Sequence, residues 1–317
     1  MNTVRISELL MRKFERFPQF SENEVGRLNE IFNHQSFLNA DNSKRQSVML
    51  ASSKSKYEDE FQYPFDNYFG FSLRPFLESK SVLDLGCFTG GRSVAWFQRY
   101  ALRRIAGVDI KEVYIEAARQ FGYLQNVNHD FRVGFGESLP FEDETFDAIL
   151  SFDVFEHVAN IQRTLSECRR VLKGGGRLFC VFPSYFHPTE HHLRLVTRIP
   201  CIHWFFSGKT LTTAYCKILE RRGDDAYWYK RSSPCLESWE KCNSVNGTTF
   251  SQFKKLVHVT KWQVFKEVHK ALGSVGRMNP RCAIARLIGK CLAPLTYLPY
   301  LQEVALHRII FVLVKGT

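Results

Sequence analysis

The sequence predicts an α/β protein whose parallel sheet carries helices on both faces. Three observations support this fold class. Short apolar runs alternate with helix-like patterns between residues 81 and 183, and the first run ends in a glycine-rich turn. Two further apolar runs follow residue 260, after a long stretch without any clear period. At 317 residues, the chain has the length of one large domain or two modest ones.

The predicted elements follow one another in a regular order. Strands are predicted at 82–85, 105–110, 131–133, 146–152, 177–182, 262–268 and 306–314. Helices are predicted at 92–103, 112–121, 161–172, 250–259 and 281–292. Seven strands in this arrangement make one large sheet with crossover helices.

Four regions organise the chain. Residues 1–75 are predicted to form an N-terminal helical extension, with the Ser/Lys-rich stretch 42–56 as a linker. The core occupies 76–183. Residues 184–247 are rich in His, Trp, Tyr and Cys, and predict an inserted cap on the substrate side. Residues 248–317 are expected to complete the core.

The charge is concentrated at the end of the chain. Lys plus Arg is 43 against 32 for Asp plus Glu, a net charge of +11. Residues 251–317 hold 11 of those basic side chains and only 2 acidic ones. An excess of this kind suggests nucleic acid, anionic lipid or a phosphorylated small molecule as a partner.

Compartment and metal use are also constrained by the sequence. The nine cysteines form no C-x-x-C pair, which disfavours a disulfide framework or a zinc ribbon. The early apolar stretch is interrupted by charges, so no signal peptide is expected. The most apolar run is too short to span a bilayer. We expect a cytoplasmic protein with reduced thiols and no resident metal.

The first candidate site is the turn after the first strand, which contains Asp84, Gly86, Cys87 and Gly90. Glycines allow a ligand to approach the backbone, and the next helix offers unpaired N–H groups. A tight turn without any ligand is the alternative. Asp109 ends the second strand 23 residues past Gly86, where a carboxylate can accept both hydroxyls of an adenosine ribose. Its alternative is a solvated strand-end aspartate.

Six motifs occur in one order across residues 81–183, about a third of the chain. They are Val82-Leu83-Asp84-Leu85-Gly86-Cys87 with Thr89-Gly90, Gly107-Val108-Asp109-Ile110, Glu137-Ser138-Leu139-Pro140-Phe141, Thr145-Phe146-Asp147-Ala148-Ile149, Glu156-His157-Val158, and Arg170-Val171-Leu172-Lys173 with Gly174-Gly175-Gly176. In these residues the chain resembles the class I S-adenosylmethionine-dependent methyltransferases, and among them the ubiquinone/menaquinone methyltransferase-like branch. The resemblance implies a Rossmann-like seven-stranded methyltransferase sheet and S-adenosyl-L-methionine as cofactor.

The resemblance also implies a role for each matching residue. Asp84 and the backbone of Gly86, Cys87 and Gly90 would hold the methionine portion of the cofactor. Asp109 would bind the ribose, and Ile110 would pack on the adenine. The adenine end would be lined by Gly136 and Glu137, while Ser151, Phe152 and Asp153 would face the reacting methyl group.

Two residues depart from the family pattern. Phe88 stands where a second glycine is usual, so either its backbone avoids positive φ or its ring turns away from the cofactor. Phe135 stands where an aspartate near the adenine is frequent. Adenine recognition would then rest on backbone and apolar contacts.

A cluster of titratable residues follows the fifth strand: His187, Glu190, His191 and His192. A neutral imidazole suits the removal of a proton from an acceptor hydroxyl, so these four are the catalytic candidates, with Glu190 orienting the base. A His/Glu metal site and a plain polar loop are the alternatives. The preferred function is methyl transfer to a small acceptor, namely a sugar, lipid-linked or secondary-metabolite hydroxyl, in some cases an anionic one.

Three other functions are alternatives to this one. The basic tail would suit an RNA methyltransferase, although no separate recognition module is evident. The glycine turn does not fit G-x-G-x-x-G, which disfavours an NAD-dependent oxidoreductase. A non-catalytic cofactor-binding scaffold is the alternative outside enzymes. The predicted helix 281–292 carries Arg281, Arg286 and Lys290, which suits peripheral contact with a membrane, but a helix packed on the sheet is the favoured interpretation.

Overall fold

The computed structural model describes residues 3–13, 42–188, 197, 199–222, 246–271 and 283–316. In that part of the chain seven strands form one sheet: β1 Ser81–Leu85, β2 Arg104–Asp109, β3 His129–Val133, β4 Phe146–Phe152, β5 Leu172–Phe182, β6 Gln263–Glu267 and β7 Ile309–Val314. Their order is β3-β2-β1-β4-β5-β7-β6. β1 to β5 are parallel, whereas β7 is antiparallel to both of its neighbours. The predicted Rossmann-like seven-stranded sheet is confirmed.

Helices flank the sheet. They are α1 Thr3–Lys13, α2 Asn42–Gln62, α3 Asp66–Phe69, α4 Arg74–Leu77, α5 Gly91–Arg99, α6 Glu112–Leu124, α7 Ile161–Val171, α8 Ile202–Phe205, α9 Gly208–Arg222, α10 Phe250–Val259, α11 Ala283–Leu292 and α12 Gln302–Ala305, with a 3₁₀ helix at Ala293–Tyr297. The helix predicted at 250–259 has these same bounds, and the others differ from the prediction by a few residues at their ends.

The two faces of the sheet bury separate hydrophobic clusters. Leu83 of β1 belongs to one cluster and Val82 to the other, because successive side chains of a strand point to opposite faces. The same division separates Cys180 from Phe179 on β5. Strands buried on both faces are continuously apolar, which is why these runs were recognisable in the sequence.

The predicted linker at 42–56 is wrong, since these residues lie in helix α2. Its small serines make close packing possible: Ser52 and Ser53 are fully buried, and the Ser53 Oγ donates a hydrogen bond to the Thr89 carbonyl at 2.7 Å. The Ser53 carbonyl lies so near Gly91 that a Cβ there would be 1.9 Å from it. The serines of this stretch therefore reflect a helix packed closely on α5.

The described parts of the N-terminal extension and of the cap pack on each other. Helix α1 contacts α9, and Arg221 of α9 forms an ion pair with Glu8 of α1. The division of the chain into four regions remains a prediction. Among the described residues, no helix combines the length and apolar character needed to cross a bilayer.

The end of the chain completes the core through a buried carboxylate. Glu303 of α12 accepts hydrogen bonds from the backbone N–H groups of Phe250 and Ser251 at 2.8 and 2.9 Å. These N–H groups belong to the first turn of α10, where a negative charge is stabilised by the helix dipole. Glu303 also accepts a hydrogen bond from the Ser184 Oγ at 3.2 Å, just beyond the end of β5. Residues distant in sequence thus meet at the carboxyl edge of the sheet.

Candidate active site

The turn after β1 requires glycine at two positions. Gly86 and Gly90 have φ angles of 76° and 73°, in the left-handed region. A Cβ on Gly86 would lie 2.3 Å from the Val154 Cγ2, and one on Gly90 would lie 2.6 Å from the Ala118 Cβ. Helix α5 begins directly after this turn, so its first N–H groups face the carboxyl edge of the sheet.

Phe88 occupies the left-handed region as well, with a φ of 50°. Its ring packs edge-on against Tyr114 of α6, with 4.5 Å between the centroids. Its backbone N–H donates to the Asp109 Oδ2 at 3.0 Å. Of the two expectations for this residue, avoidance of positive φ is therefore wrong. A ring directed toward α6 is what the structure shows.

Asp84 is buried beneath the glycine turn. Its Oδ2 accepts a hydrogen bond from the Ser93 Oγ at 2.5 Å. Burial raises the pKa of this carboxyl to about 7, although the hydrogen bond and the nearby Arg92 oppose the rise. Burial also raises the pKa of the Cys87 thiol, so this thiol stays protonated and Cys87 acts as a packing residue.

Asp109 lies at the end of β2, as predicted. Besides the Phe88 N–H, its carboxylate accepts the Lys111 N–H at 3.3 Å, and burial raises its pKa. Two large apolar side chains, Ile110 and Phe135, are exposed on the segments that follow β2 and β3. The Gly134 N–H bonds to the Asp109 carbonyl, which holds these two segments side by side. Exposed apolar groups next to a strand-end carboxylate form a surface suited to a flat aromatic ring.

Gly136 and Glu137 lie in the loop after β3. A Cβ on Gly136 would be 3.1 Å from the Thr164 Cγ2, so this position is packed closely on α7. The Glu137 Oε1 accepts the Asn160 N–H at 3.0 Å, at the beginning of α7. The structure thus gives the Glu137 carboxylate a supporting contact with α7, while its role beside the adenine remains a prediction.

Ser151 and Asp153 lie at the carboxyl end of β4. Ser151 is buried, and its Oγ has no hydrogen-bond partner within the described part of the chain. Asp153 has a φ of 57° and forms an ion pair with Arg308, just before β7. The structure therefore places a buried hydroxyl and a fixed carboxylate at the strand end where the reacting methyl group was expected.

Sequence reasoning missed a set of residues around Phe152. The Arg92 guanidinium lies 4.1 Å from the centre of the Phe152 ring, and the Arg308 guanidinium lies 5.9 Å from it. The ring of Tyr68 packs on the same phenyl group at 5.2 Å. Tyr68 and Arg308 come from outside the motif region, so no spacing rule pointed to them. Arg92, next to the glycine turn, was visible in the sequence but had no assigned role.

The histidine cluster is described only in part. His187 is fully buried, and its ring centroid lies 5.7 Å from that of His307, another residue that the sequence did not single out. Glu190, His191 and His192 lie outside the described residues. Within the described ranges, no group of three or more His, Cys, Asp or Glu side chains could hold a metal ion.

The residues at the carboxyl edge fit S-adenosylmethionine. Asp84 and the left-handed glycines suit its methionine end, Asp109 its ribose, and Ile110 with Phe135 its adenine. The buried and unpaired Ser151 Oγ adds a polar atom at the end of β4. The carboxylates and the exposed apolar side chains therefore occur in the same order as the methionine, ribose and adenine portions of S-adenosylmethionine.

Known proteins resemble this chain in the region that contains the candidate site. Residues 83–180 match a family model described as a methyltransferase domain. The chain is 38% identical over 116 residues to the ubiquinone biosynthesis O-methyltransferase of Maricaulis maris, covering 36% of this chain and 44% of that one. It is 33% identical over 169 residues to the demethylmenaquinone methyltransferase of Symbiobacterium thermophilum, covering 50% and 62%. The chain thus spans about half the length of the curated relatives it matches.

A solved structure supports the fold independently. The Haloferax volcanii methyltransferase, in complex with the activator Trm112, superposes with a TM-score of 0.50 at 16% identity, covering 85% of this chain and 98% of that one. At this level of identity the similarity shows the fold alone. The sheet order, the glycine-rich turn and the matched family model together show that residues 83–180 are a methyltransferase domain with a Rossmann-like fold, similar to the class I S-adenosylmethionine-dependent methyltransferases.

Proposed function

We propose that this chain transfers the methyl group of S-adenosylmethionine to a hydroxyl oxygen of a small, lipid-linked acceptor of the quinone type. The observation that carries the cofactor assignment is the Asp109 carboxylate between the glycine turn and the exposed Ile110 and Phe135. The acceptor class is supported by the names of the two relatives, one an O-methyltransferase of ubiquinone biosynthesis and one a demethylmenaquinone methyltransferase. Sugar and secondary-metabolite hydroxyls are less well supported by those relatives.

The residues would act mainly by holding and aligning the reactants. The cofactor supplies an electrophilic methyl group on a positively charged sulfur. Asp84 would bind the ammonium group of the methionine portion, and Asp109 would accept hydrogen bonds from the ribose hydroxyls. The backbone of the glycine turn would hold the part of the cofactor that lies between these two groups. Alignment of the acceptor oxygen with the methyl carbon accounts for most of the rate enhancement in such a transfer.

The acceptor hydroxyl must also lose its proton. We assign this step to His187, which follows β5 at the carboxyl edge and packs on His307. Glu190, His191 and His192 remain candidates for orienting or replacing that base. Asp153, fixed by Arg308, would contribute to binding the positively charged cofactor.

The first test is the affinity for S-adenosylhomocysteine, measured by isothermal titration calorimetry. We expect Asp109→Asn to weaken binding by about 10- to 100-fold, because the hydrogen bonds of an ionised carboxylate to the ribose are lost. Asparagine retains an oxygen that can accept the Phe88 N–H, so the turn is preserved. Glu112→Gln, at an exposed acid three residues away, is the matched control and should leave the affinity unchanged. Equal affinities for all three proteins would refute the cofactor site.

A second test uses the ionisation of Asp84. Because its pKa is raised to about 7 by burial, the carboxyl is neutral in acid and negatively charged above neutrality. The ligand ammonium requires the charged form, so the affinity for S-adenosylhomocysteine should rise about 20-fold between pH 5.5 and pH 7.5. It should fall again at more alkaline pH, once the α-amino group of the ligand loses its proton.

Two variants isolate the contribution of Asp84 to that profile. Asp84→Asn should bind weakly and nearly independently of pH across the acidic range. Burial also raises the pKa of Glu60 to about 7, but this carboxylate lies 3.6 Å from the Arg92 Nε and accepts the Phe65 N–H. Glu60→Gln should therefore keep the wild-type profile. A wild-type affinity that does not change with pH would exclude Asp84 as the ammonium ligand.

A further inference from the structure

A second surface, unconnected with the cofactor groups, lies near the end of the chain. Between residues 287 and 301, helix α11, the 3₁₀ helix and the turn before α12 expose five large side chains: Leu287, Tyr297, Leu298, Tyr300 and Leu301. We call this set the C-terminal apolar surface. Helix 281–292 was expected to pack on the sheet, and this expectation is wrong at Leu287 and at Cys291, which are both exposed. The described chain therefore leaves a large part of each of these side chains uncovered.

The charge of this segment restricts what covers it. Residues 283–302 contain Arg286 and Lys290 but no Asp or Glu. Lys290 is exposed beside the C-terminal apolar surface. A symmetric contact between two copies would bring like charges together, which opposes self-association. A partner that is both apolar and negatively charged would cover the exposed apolar side chains and attract the neighbouring basic residues.

We propose that the C-terminal apolar surface binds an anionic lipid bilayer as an in-plane, peripheral contact. Leucines insert at the boundary between headgroups and acyl chains, while tyrosines place their rings at the headgroup level with the hydroxyl toward water. The exposed Lys290 next to them is attracted by anionic headgroups. No described helix is able to span a bilayer, so the contact lies in the plane of the membrane.

The fold fixes this surface to the carboxyl edge of the sheet. The Thr296 carbonyl is hydrogen-bonded to the His269 Nδ1 at 2.6 Å, and the Tyr297 ring stacks on that imidazole at 4.6 Å. A few residues further on, Glu303 reaches the Ser184 Oγ beyond β5. Membrane binding would thus hold the candidate active site close to the bilayer. That consequence rests on the proposed function, whereas the lipid contact does not.

The test is co-sedimentation of the full chain with vesicles, without cofactor or acceptor. We expect binding to phosphatidylcholine vesicles containing about one third phosphatidylglycerol, and little binding to phosphatidylcholine alone. Tyr300→Ser/Leu301→Ser should reduce the partition coefficient about tenfold, since two apolar groups no longer leave water. Lys290→Gln should reduce it about fivefold.

The chain offers a matched control. Tyr123 and Leu124 at the end of α6 are also adjacent and exposed, Tyr123 at 81% against 88% for Tyr300. Tyr123→Ser/Leu124→Ser should leave vesicle binding unchanged. The proposal is overturned by equal losses in the two double variants, by equal binding to both kinds of vesicle, or by a dimer in sedimentation velocity that only Tyr300→Ser/Leu301→Ser dissociates. Because no cofactor is present, either result leaves methyl transfer to be judged by its own tests.

Discussion

Gly91→Ala is expected to lower the free energy of unfolding by about 3 kcal/mol. Gly91 is the first residue of α5, and it is not among the glycines with positive φ. Alanine is the better helix former there, by about 1 kcal/mol at most. However, its Cβ would lie 1.9 Å from the Ser53 carbonyl oxygen and 3.0 Å from the Lys56 Cβ. Because a backbone atom of α2 cannot rotate away, the helix must move, and this cost exceeds the gain in helix propensity.

The displacement should also reach the cofactor turn. The Ser53 Oγ is bonded to the Thr89 carbonyl within the turn, so a shifted α2 no longer supports the backbone that faces the ligand. We expect the affinity of Gly91→Ala for S-adenosylhomocysteine to fall at least tenfold. Urea denaturation followed by circular dichroism, together with calorimetry, measures both effects. Gly316→Ala is the control, because its Cβ would make only an ordinary contact with Gln263 at 3.5 Å. An unchanged denaturation midpoint in Gly91→Ala would contradict the close packing of α2.

Helix α2 also illustrates what the sequence conceals. The strands were predictable because burial on both faces makes them continuously apolar, as for Val82 and Leu83. Ser52 and Ser53 are buried because they are small, and a small polar residue looks the same in a loop as in a tight helix contact. Composition alone therefore suggested a linker where the chain forms 21 residues of helix.

The residues of the candidate site also differ in whether the sequence alone could predict them. Asp84, Gly86, Gly90 and Asp109 were predictable, because strand ends and left-handed turns have local sequence requirements. Arg308, the ion-pair partner of Asp153, could not be predicted in this way. Arg308 lies 155 residues further along the chain and reaches Asp153 only because β7 inserts between β5 and β6. No local pattern encodes such a meeting, which depends on the strand order of the whole sheet.

His187→Gln is expected to reduce kcat by about 10²- to 10⁴-fold, the usual contribution of a general base. Glutamine is close in size to histidine and can occupy the space beside His307. It cannot act as a base, so the proton of the acceptor hydroxyl is no longer removed. The measurement is the steady-state rate with a quinol-type acceptor across a range of pH.

A buried histidine also contributes to packing, so the variant needs a readout that a purely structural role would not change. A base must be neutral to accept a proton, and the wild-type kcat should therefore decline in acid; His187→Gln should lose that decline. Its KM for S-adenosylmethionine and its denaturation midpoint should stay near wild type, as should every property of His258→Gln, at an exposed histidine of α10. If His187→Gln kept both the wild-type kcat and its decline in acid, the base would have to be sought among Glu190, His191 and His192. If its midpoint fell together with kcat, His187 would instead be a packing residue. The shape of the pH profile thus decides between the two roles of this histidine, because loss of packing lowers the rate at every pH and loss of a base removes one limb of the curve.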